Sequence, residues 1–451
     1  MKQKKVINIQ PVTRIEGHAR ISIHLDHQGK VRLTRLNILS FRGFEKFVEG
    51  RAAEEIPRIV TRICGICPWM HHLAAVKAVE GCFGIEPARD GDRLRELLLL
   101  MAHVSDKILH FFFMAAPDFL LGSEAACSAR NIFGMAARNP ELARRVATMR
   151  QLAQQMIERF SGKAIHPVAA VPGGFSRPMT ADDRKALLHD AVKLLDFALF
   201  ALDFARKEVF PRVEDDIAGM DDIKTGFLGT VGETGGLRLY HGKLRLMKPD
   251  GSFVDFLPVE YENFIEERVE PWSYAKMPYA RAWNEGFCLD SSSPRGIYRT
   301  NALARINVCD HIPTPRAQEA LEEFRHKHGR PAQATLLYHW ARLIELVYVS
   351  ERTIELLEDP DILGTDVRCA CRPGAGHGIA CVEAPRGTLI HDYETDENGL
   401  ITKANLIVGT THNIAPMNLS VDRAARAVIR DFNPGPEALN RIEMAVRAYD
   451  P

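Results

Sequence analysis

Four long stretches, 93–114, 141–160, 181–210 and 332–357, carry apolar side chains at three- and four-residue spacing. That period belongs to a helix with one apolar stripe. A long stripe is covered only by neighbours of similar length, so the pattern predicts a central bundle of long helices. Pro68, a good first-turn residue, opens a further helix, and a last helix is expected over 436–448.

Between the helices the apolar period drops to two. Residues 5–39 read as an N-terminal β-hairpin turning at 26–29, 226–256 as a small β region, and 374–408 as strands around a hairpin turn at 396–399. By contrast, 271–284 reads as irregular and 162–174 as a loop rich in glycine and proline. The expected fold class is α+β, mainly α: a bundle of long helices with small peripheral β regions, without repeats or linkers. It forms one unit whose helical core covers 68–216 and 332–357. At 451 residues and 46% apolar content the chain can bury a large core.

Lysine plus arginine balances aspartate plus glutamate at 58 each, which suits neither a nucleic acid nor an anionic membrane surface as partner. The apolar runs 97–104 and 108–117 are interrupted by His and Lys, and read as too short for the ~18 residues of a membrane span. The basic N-terminus has no apolar h-region and so does not read as a signal peptide. Nine cysteines, an odd number at irregular spacing, argue for a reducing compartment and metal chemistry, and a cytoplasmic location is expected.

Cys64, Cys67 and His71 stand together in one short segment, T-R-I-C-G-I-C-P-W-M-H-H over 61–72. Gly65 lets the backbone bend enough to aim both sulfurs at one metal, and soft thiolates select nickel, iron, zinc or copper over magnesium or calcium. Taken alone, the pair reads equally as a structural zinc half-site or as two buried thiols.

The string R-I-C-G-I-C-x-x-x-H over 62–71 resembles the N-terminal metal-binding motif of the large subunit of nickel-iron hydrogenases. R-I-E-G-H at 14–18, F-R-G-F-E-K at 41–46, E-A-P-R-G at 383–387 and V-G-T-T-H-N at 408–413 belong to the same family and follow its order. The likeness is greatest to the cytoplasmic type that works in larger complexes. It implies that Cys64 is a terminal nickel ligand and that Cys67 bridges nickel to an iron carrying carbonyl and cyanide. His71 would hydrogen-bond near the bridging sulfur.

Glu16 would be the first proton-transfer group. Glu45 and the backbone carbonyl of Leu406 would bind magnesium, a hard ion suited to oxygen. Arg386 would sit over the open face of the centre, assisted by Asp106 and Asp450, with its fixed charge polarising hydrogen. Pro385 and Arg386 would contact one cyanide and Val408 with Thr410 the other, while Leu389 would line the carbonyl pocket. The implied reaction is reversible heterolytic cleavage of H2. Its proton would go either to a further terminal thiolate or selenolate and on to Glu16, or to Arg386. Its electrons would leave through an iron-sulfur small subunit, then through further electron-transfer subunits.

The family's second metal motif, D-P-C-x-x-C-x-x-H, would supply two more nickel ligands, whereas this sequence ends R-A-Y-D-P at 447–451. The expected explanation is a selenocysteine codon taken for a stop, or a tail supplied as a separate short subunit. The competing expectation is a non-catalytic scaffold like the quinone-site subunit of respiratory complex I. Cys369, Cys371, His377 and Cys381 form C-x-C-x5-H-x3-C, which could hold an extra metal but reads better as buried or adventitious thiols. Cys82, Cys127, Cys288 and Cys309 read as core residues.

Overall fold

The structure, a computed structural model, describes residues 5–40, 42–214 and 223–451. Phe41, which opens the F-R-G-F-E-K block, and 215–216, the expected end of the first helical segment, lie outside the described residues. The bundle is built from α2 (Arg89–Leu109), α3 (Pro140–Ser161), α4 (Ala181–Phe204) and α7 (Leu337–Glu358). Their ends follow from local chemistry. The side chains of Asn139 and Thr180 accept the amides of Leu142 and Asp183, capping α3 and α4, and Gly162 ends α3 in the left-handed conformation. Two shorter helices, α5 (Ala302–Val308) and α6 (Pro315–His328), pack against α7.

Helix α2 does not stop at 109. It runs through a π-helical turn, His110–Ala115, into Ala116–Leu121, so that Arg89–Leu121 is one run of 33 residues. By length and composition it is apolar enough to cross a membrane, which corrects the reading of its parts as too short. Yet 83% of its apolar window is buried inside the protein, as in a core helix. The two histidines and the lysine that interrupt the run are buried as well, and each has a partner. His103 donates to the carbonyl of Glu383, Lys107 pairs with Glu345 at 2.7 Å, and His110 donates to the carbonyl of Arg447. Helix α4 likewise gives way to a π-helical turn, Ala205–Val209, within its expected span.

The N-terminal sheet is an antiparallel meander of β1 (Val6–Ile9), β2 (Ala19–Leu25) and β3 (Val31–Ile38), one strand more than the expected hairpin. The R-I-E-G-H block therefore lies in the β1–β2 connection and not within a strand. The second β region pairs β4 (Gly226–Val231), β5 (Lys243–Met247) and β6 (Phe253–Phe256) in antiparallel order. Next to it, β7 (Ile265–Val269) pairs with β8 (Lys276–Ala280), so part of the expected irregular stretch is a strand. Pro278 within β8 reads as a breaker, but a two-stranded ribbon has only edges, where proline is tolerated. The short β9 (Tyr298–Arg299) adds to β4 in parallel.

The third sheet, β10 (Gly376–Ala384), β11 (Gly387–Thr395) and β12 (Ile401–Ile407), lies against α1 (Pro68–Phe83). The approach is close enough that a Cβ on Gly378 would stand 2.0 Å from the carbonyl oxygen of Ala78. Helix α8 (Gly409–Val428) begins where a threonine-rich strand end was expected, and Pro416 inside it hides the helical pattern. The chain closes with α9 (Pro436–Ala448), at its expected bounds.

Candidate metal centre

Cys67 caps the N-terminus of α1, with Pro68 at the first helical position, and Cys64 stands one turn before it. The Cys67 amide donates to Cys64 Sγ at 3.2 Å. The two thiols are linked: a hydrogen bond from Cys67 lowers the pKa of Cys64, and the same bond, followed by burial, pushes Cys67 well up. Cys64, half-exposed on the turn, is thus the more easily deprotonated of the pair, beside a buried partner. The Gly65 amide donates to Glu16 Oε1 at 3.0 Å, while Glu16 Oε2 is buried with no hydrogen-bond partner.

The loop carrying Glu16 is fastened to the end of the chain. Arg14, at φ 58° in the left-handed region, donates to the carbonyl of Met114 at 2.6 Å and to Asp118. Asp118, buried, also accepts from Arg447 at 2.5 Å and from Asn440 at 3.2 Å, and Arg130 lies 3.8 Å away. Thr13 donates its amide to Glu443, and the amide of Glu16 donates to the carbonyl of Pro451. Buried donors meet the last carbonyls of α9: His110 at Arg447, Arg342 at Ala448 and Asn301 at Tyr449.

Those caps place Asp450, at φ 57°, opposite Arg386. Arg386 stands at the tip of the β10–β11 hairpin, where Ala384 pairs with Gly387 and only Pro385 and Arg386 form the turn. Its guanidinium donates to Asp106 Oδ2 on α2 and to Asp450 Oδ1, both at 3.0 Å, and all three groups are buried. Burial raises Asp450 to about 7, against the lowering pull of Arg386. Asp106 Oδ1, Asp450 Oδ2 and Arg386 Nε are left without hydrogen-bond partners. Arg305 holds the turn from behind through the carbonyls of Ala384 and Pro385, and Asn413 donates to the carbonyl of Arg386.

His71, one turn after Cys67, does not stand alone. Its Nδ1 lies 3.3 Å from His391 Nε2, and His391 Nδ1 lies 2.6 Å from the Tyr393 hydroxyl. Burial, then the charge of Arg386, lowers His71 to about 3. At Glu45 the carboxylate accepts from Arg42, from Lys276 at 2.9 Å and from the amide of Leu406 at 3.2 Å. The amide of Leu406 thus meets Glu45 directly. The Lys276 ammonium also reaches Glu267 and Asn405.

A cavity of about 270 Å³ joins these groups, lined among others by Glu16, Glu45, Cys64, Cys67, Arg386, Leu406, Val408 and Thr410. Asp106, Asp450, His71, Pro385 and Leu389 do not line it. Val408 caps α8 and Thr410 lies in its first turn. The other cysteine cluster finds different partners: Cys369 donates to the carbonyl of Glu86, and His377 pairs with Asp392. Among the described residues no group of three or more His, Cys, Asp or Glu converges as a metal site. Cys82 and Cys309 are buried as expected, whereas Cys127 is exposed and Cys288 half-buried.

Models of two families match the chain: nickel-dependent hydrogenase over 42–131 and HoxL-like over 6–41. The matching vhu subunit of the F420-non-reducing hydrogenase of Methanococcus voltae is 44% identical over 94% of this chain and 99% of its own length. The beta subunit of the NAD-reducing hydrogenase HoxS of Cupriavidus necator is 36% identical over 100% of this chain and 94% of its own. A solved NAD+-reducing [NiFe]-hydrogenase in the H2-reduced state superposes with a TM-score of 0.93 at 40% identity, over 99% of this chain and 98% of that one.

The chain belongs to the nickel-dependent hydrogenases. It is the catalytic large subunit of such an enzyme, an oxidoreductase acting on H2 through a nickel-iron centre, and it works with small and electron-transfer partners. The residues fit that centre: two linked thiols open onto a cavity edged by a fixed guanidinium and by Glu16, whose buried Oε2 has no hydrogen-bond partner. Sequence reasoning missed Asp118, Lys276, His391 and Tyr393 in this hydrogenase. A period-two reading would have found the last two, since Leu389, His391 and Tyr393 alternate along β11.

Proposed function

We propose that Cys64 and Cys67 would hold the nickel-iron centre as its thiolate ligands from residues 1–451. The observation that carries this is the pair of linked thiols beside Arg386. When bound, the centre supplies the Lewis acidity and redox change that split H2. Arg386 keeps a permanent positive charge over the opening, held in a two-carboxylate grip. Glu16 takes the proton at Oε2, because Oε1 is already committed to the Gly65 amide. Asp450, raised toward neutrality, holds a second exchangeable proton behind Arg386. Carbonyl and cyanide on the iron would meet Pro385, Arg386, Leu389, Val408 and Thr410.

Magnesium is proposed at Glu45, where the oxygens of Glu45, Glu267 and Asn405 already gather around the Lys276 ammonium, with Arg42 on the other oxygen of Glu45. The cavity joins this cluster to the two cysteines, which makes its mouth the place where a C-x-x-C-x-x-H segment, with cysteine or selenocysteine first, would approach both sites. An iron-sulfur small subunit takes the electrons. A cytoplasmic setting suits nine free cysteines. The test is metal analysis and infrared spectroscopy of the purified complex. Stoichiometric nickel with carbonyl and cyanide bands, both lost in Cys67→Ala, is expected; zinc without such bands refutes the reading.

A further inference from the structure

The hydrogen-bonded row Tyr393–His391–His71 is buried at every member and reaches the helix turn after Cys67. A neutral imidazole has one N–H and one bare nitrogen, and a partner on one nitrogen decides which is which. At the far end the phenol is a better proton donor than a neutral ring nitrogen, so at 2.6 Å the Tyr393 O–H donates to His391 Nδ1. His391 then carries its hydrogen on Nε2 and donates to His71 Nδ1. His71 in turn carries its hydrogen on Nε2. His71 lies in the first turns of the helix that Cys67 opens, four residues after it, which brings this N–H to the end of the helix that bears Cys67.

We propose that His391 and Tyr393 are positioning residues that hold His71 as the Nε2–H tautomer, a donor toward the Cys67 side of the centre. The inference rests on the metal-centre reading above. In the opposite tautomer His71 would present a lone pair to an electron-rich thiolate, which is repulsive. With the donor in place the sulfur gives up electron density to a hydrogen bond, and the centre becomes easier to reduce. The fold holds the row rigidly: His391 lies on β11 between β10 and β12, and Leu389, two residues before it, packs in the core.

The test compares Tyr393→Phe, His391→Leu and His391→Gln in the assembled complex, reading melting temperature, nickel content and the midpoint potential of the paramagnetic centre. His391→Leu and Tyr393→Phe are expected to keep nickel, lower the potential and reduce turnover roughly tenfold, the usual scale for a group that orients a ligand's neighbour. His391→Gln, whose amide still donates to His71, is expected to restore the potential. Unchanged potentials in all three, with melting alone affected, would overturn the proposal, as would failure of glutamine to rescue. If a leucine variant does not fold, the phenylalanine and glutamine variants decide by the same readout. A wild-type complex without nickel would instead sink the metal-centre reading itself.

Discussion

Replacing Asp118 by asparagine removes one negative charge and almost no volume from a site where three arginines meet. Arg447 and Arg130 have side chains 0% and 4% exposed, so water cannot replace the lost carboxylate, whereas Arg14 at 14% is partly wetted. Arg447 keeps Glu443 at 3.1 Å. Removing one partner of a buried pair costs roughly 3–5 kcal/mol, and the residual partner places this case near about 3. At roughly 2 cal/mol/K of unfolding entropy per residue, a chain of this length would melt only about 3 °C lower. Activity should suffer more. Arg14 and Arg447 tie the Glu16 loop to the end of α9, and a displacement of about 1 Å at a reacting group can cost roughly a hundredfold. Calorimetry alongside H2-dependent dye reduction and nickel analysis would show a small melting shift, retained nickel and a large loss of rate. Wild-type melting together with wild-type rate would refute the argument. A lower melting point with full rate would leave Asp118 a stabiliser and remove its positioning role.

Glu16→Gln keeps the hydrogen bond to Gly65 but cannot carry a proton, so turnover is expected to fall at least roughly a hundredfold with nickel content unchanged; near-normal turnover would move the proton route elsewhere. His71, His72, His103, His110, His339, His391 and His412 are all pushed down by burial. Their folded pKa values lie below the unfolded value, so the unfolded chain binds protons first as pH falls. Stability is full above about 6.5 and drops below it, by up to about 1.4 kcal/mol per pH unit per histidine. Melting from pH 7 to pH 5 should show steep loss, and an uptake of fewer than about three protons on unfolding would contradict the burial of these rings. Lys276→Met strips the cation from three oxygens; melting should fall and recover when magnesium is added, and no recovery counts against a cation site at Glu45.

What could be read from the sequence was what is local in it. Pro436 and an unbroken period placed α9 at its bounds, and the thiols of Cys64 and Cys67 are neighbours both in sequence and in space. Asp118 shows the opposite case: the two arginines that hydrogen-bond to it lie 104 and 329 positions away, and no window contains them. Glu16 read as a strand residue because the apolar alternation on both sides masks a loop whose left-handed Arg14 depends on distant partners. The helix at Gly409–Val428 was missed because Pro416 stands inside it. Lys276 escaped notice because its three oxygens come from the segment after β3, from β7 and from β12, which only the fold assembles. The roles of Arg386, Asp106 and Asp450 came from resemblance alone, and the structure adds that both carboxylates pair with the one guanidinium.

The hairpin that carries Arg386 also bears on the timing of an entropic cost. A free arginine side chain has about 2 kcal/mol of rotamer freedom to lose. Here Gly387 lies so close to Thr300 that a Cβ would stand 2.1 Å from its hydroxyl oxygen, and two carboxylates grip the guanidinium. The freedom is therefore surrendered once, when the chain folds, and not again in each catalytic cycle. A molecule as small as H2 makes too few contacts to order a side chain around itself, so a site that serves it must arrive already ordered.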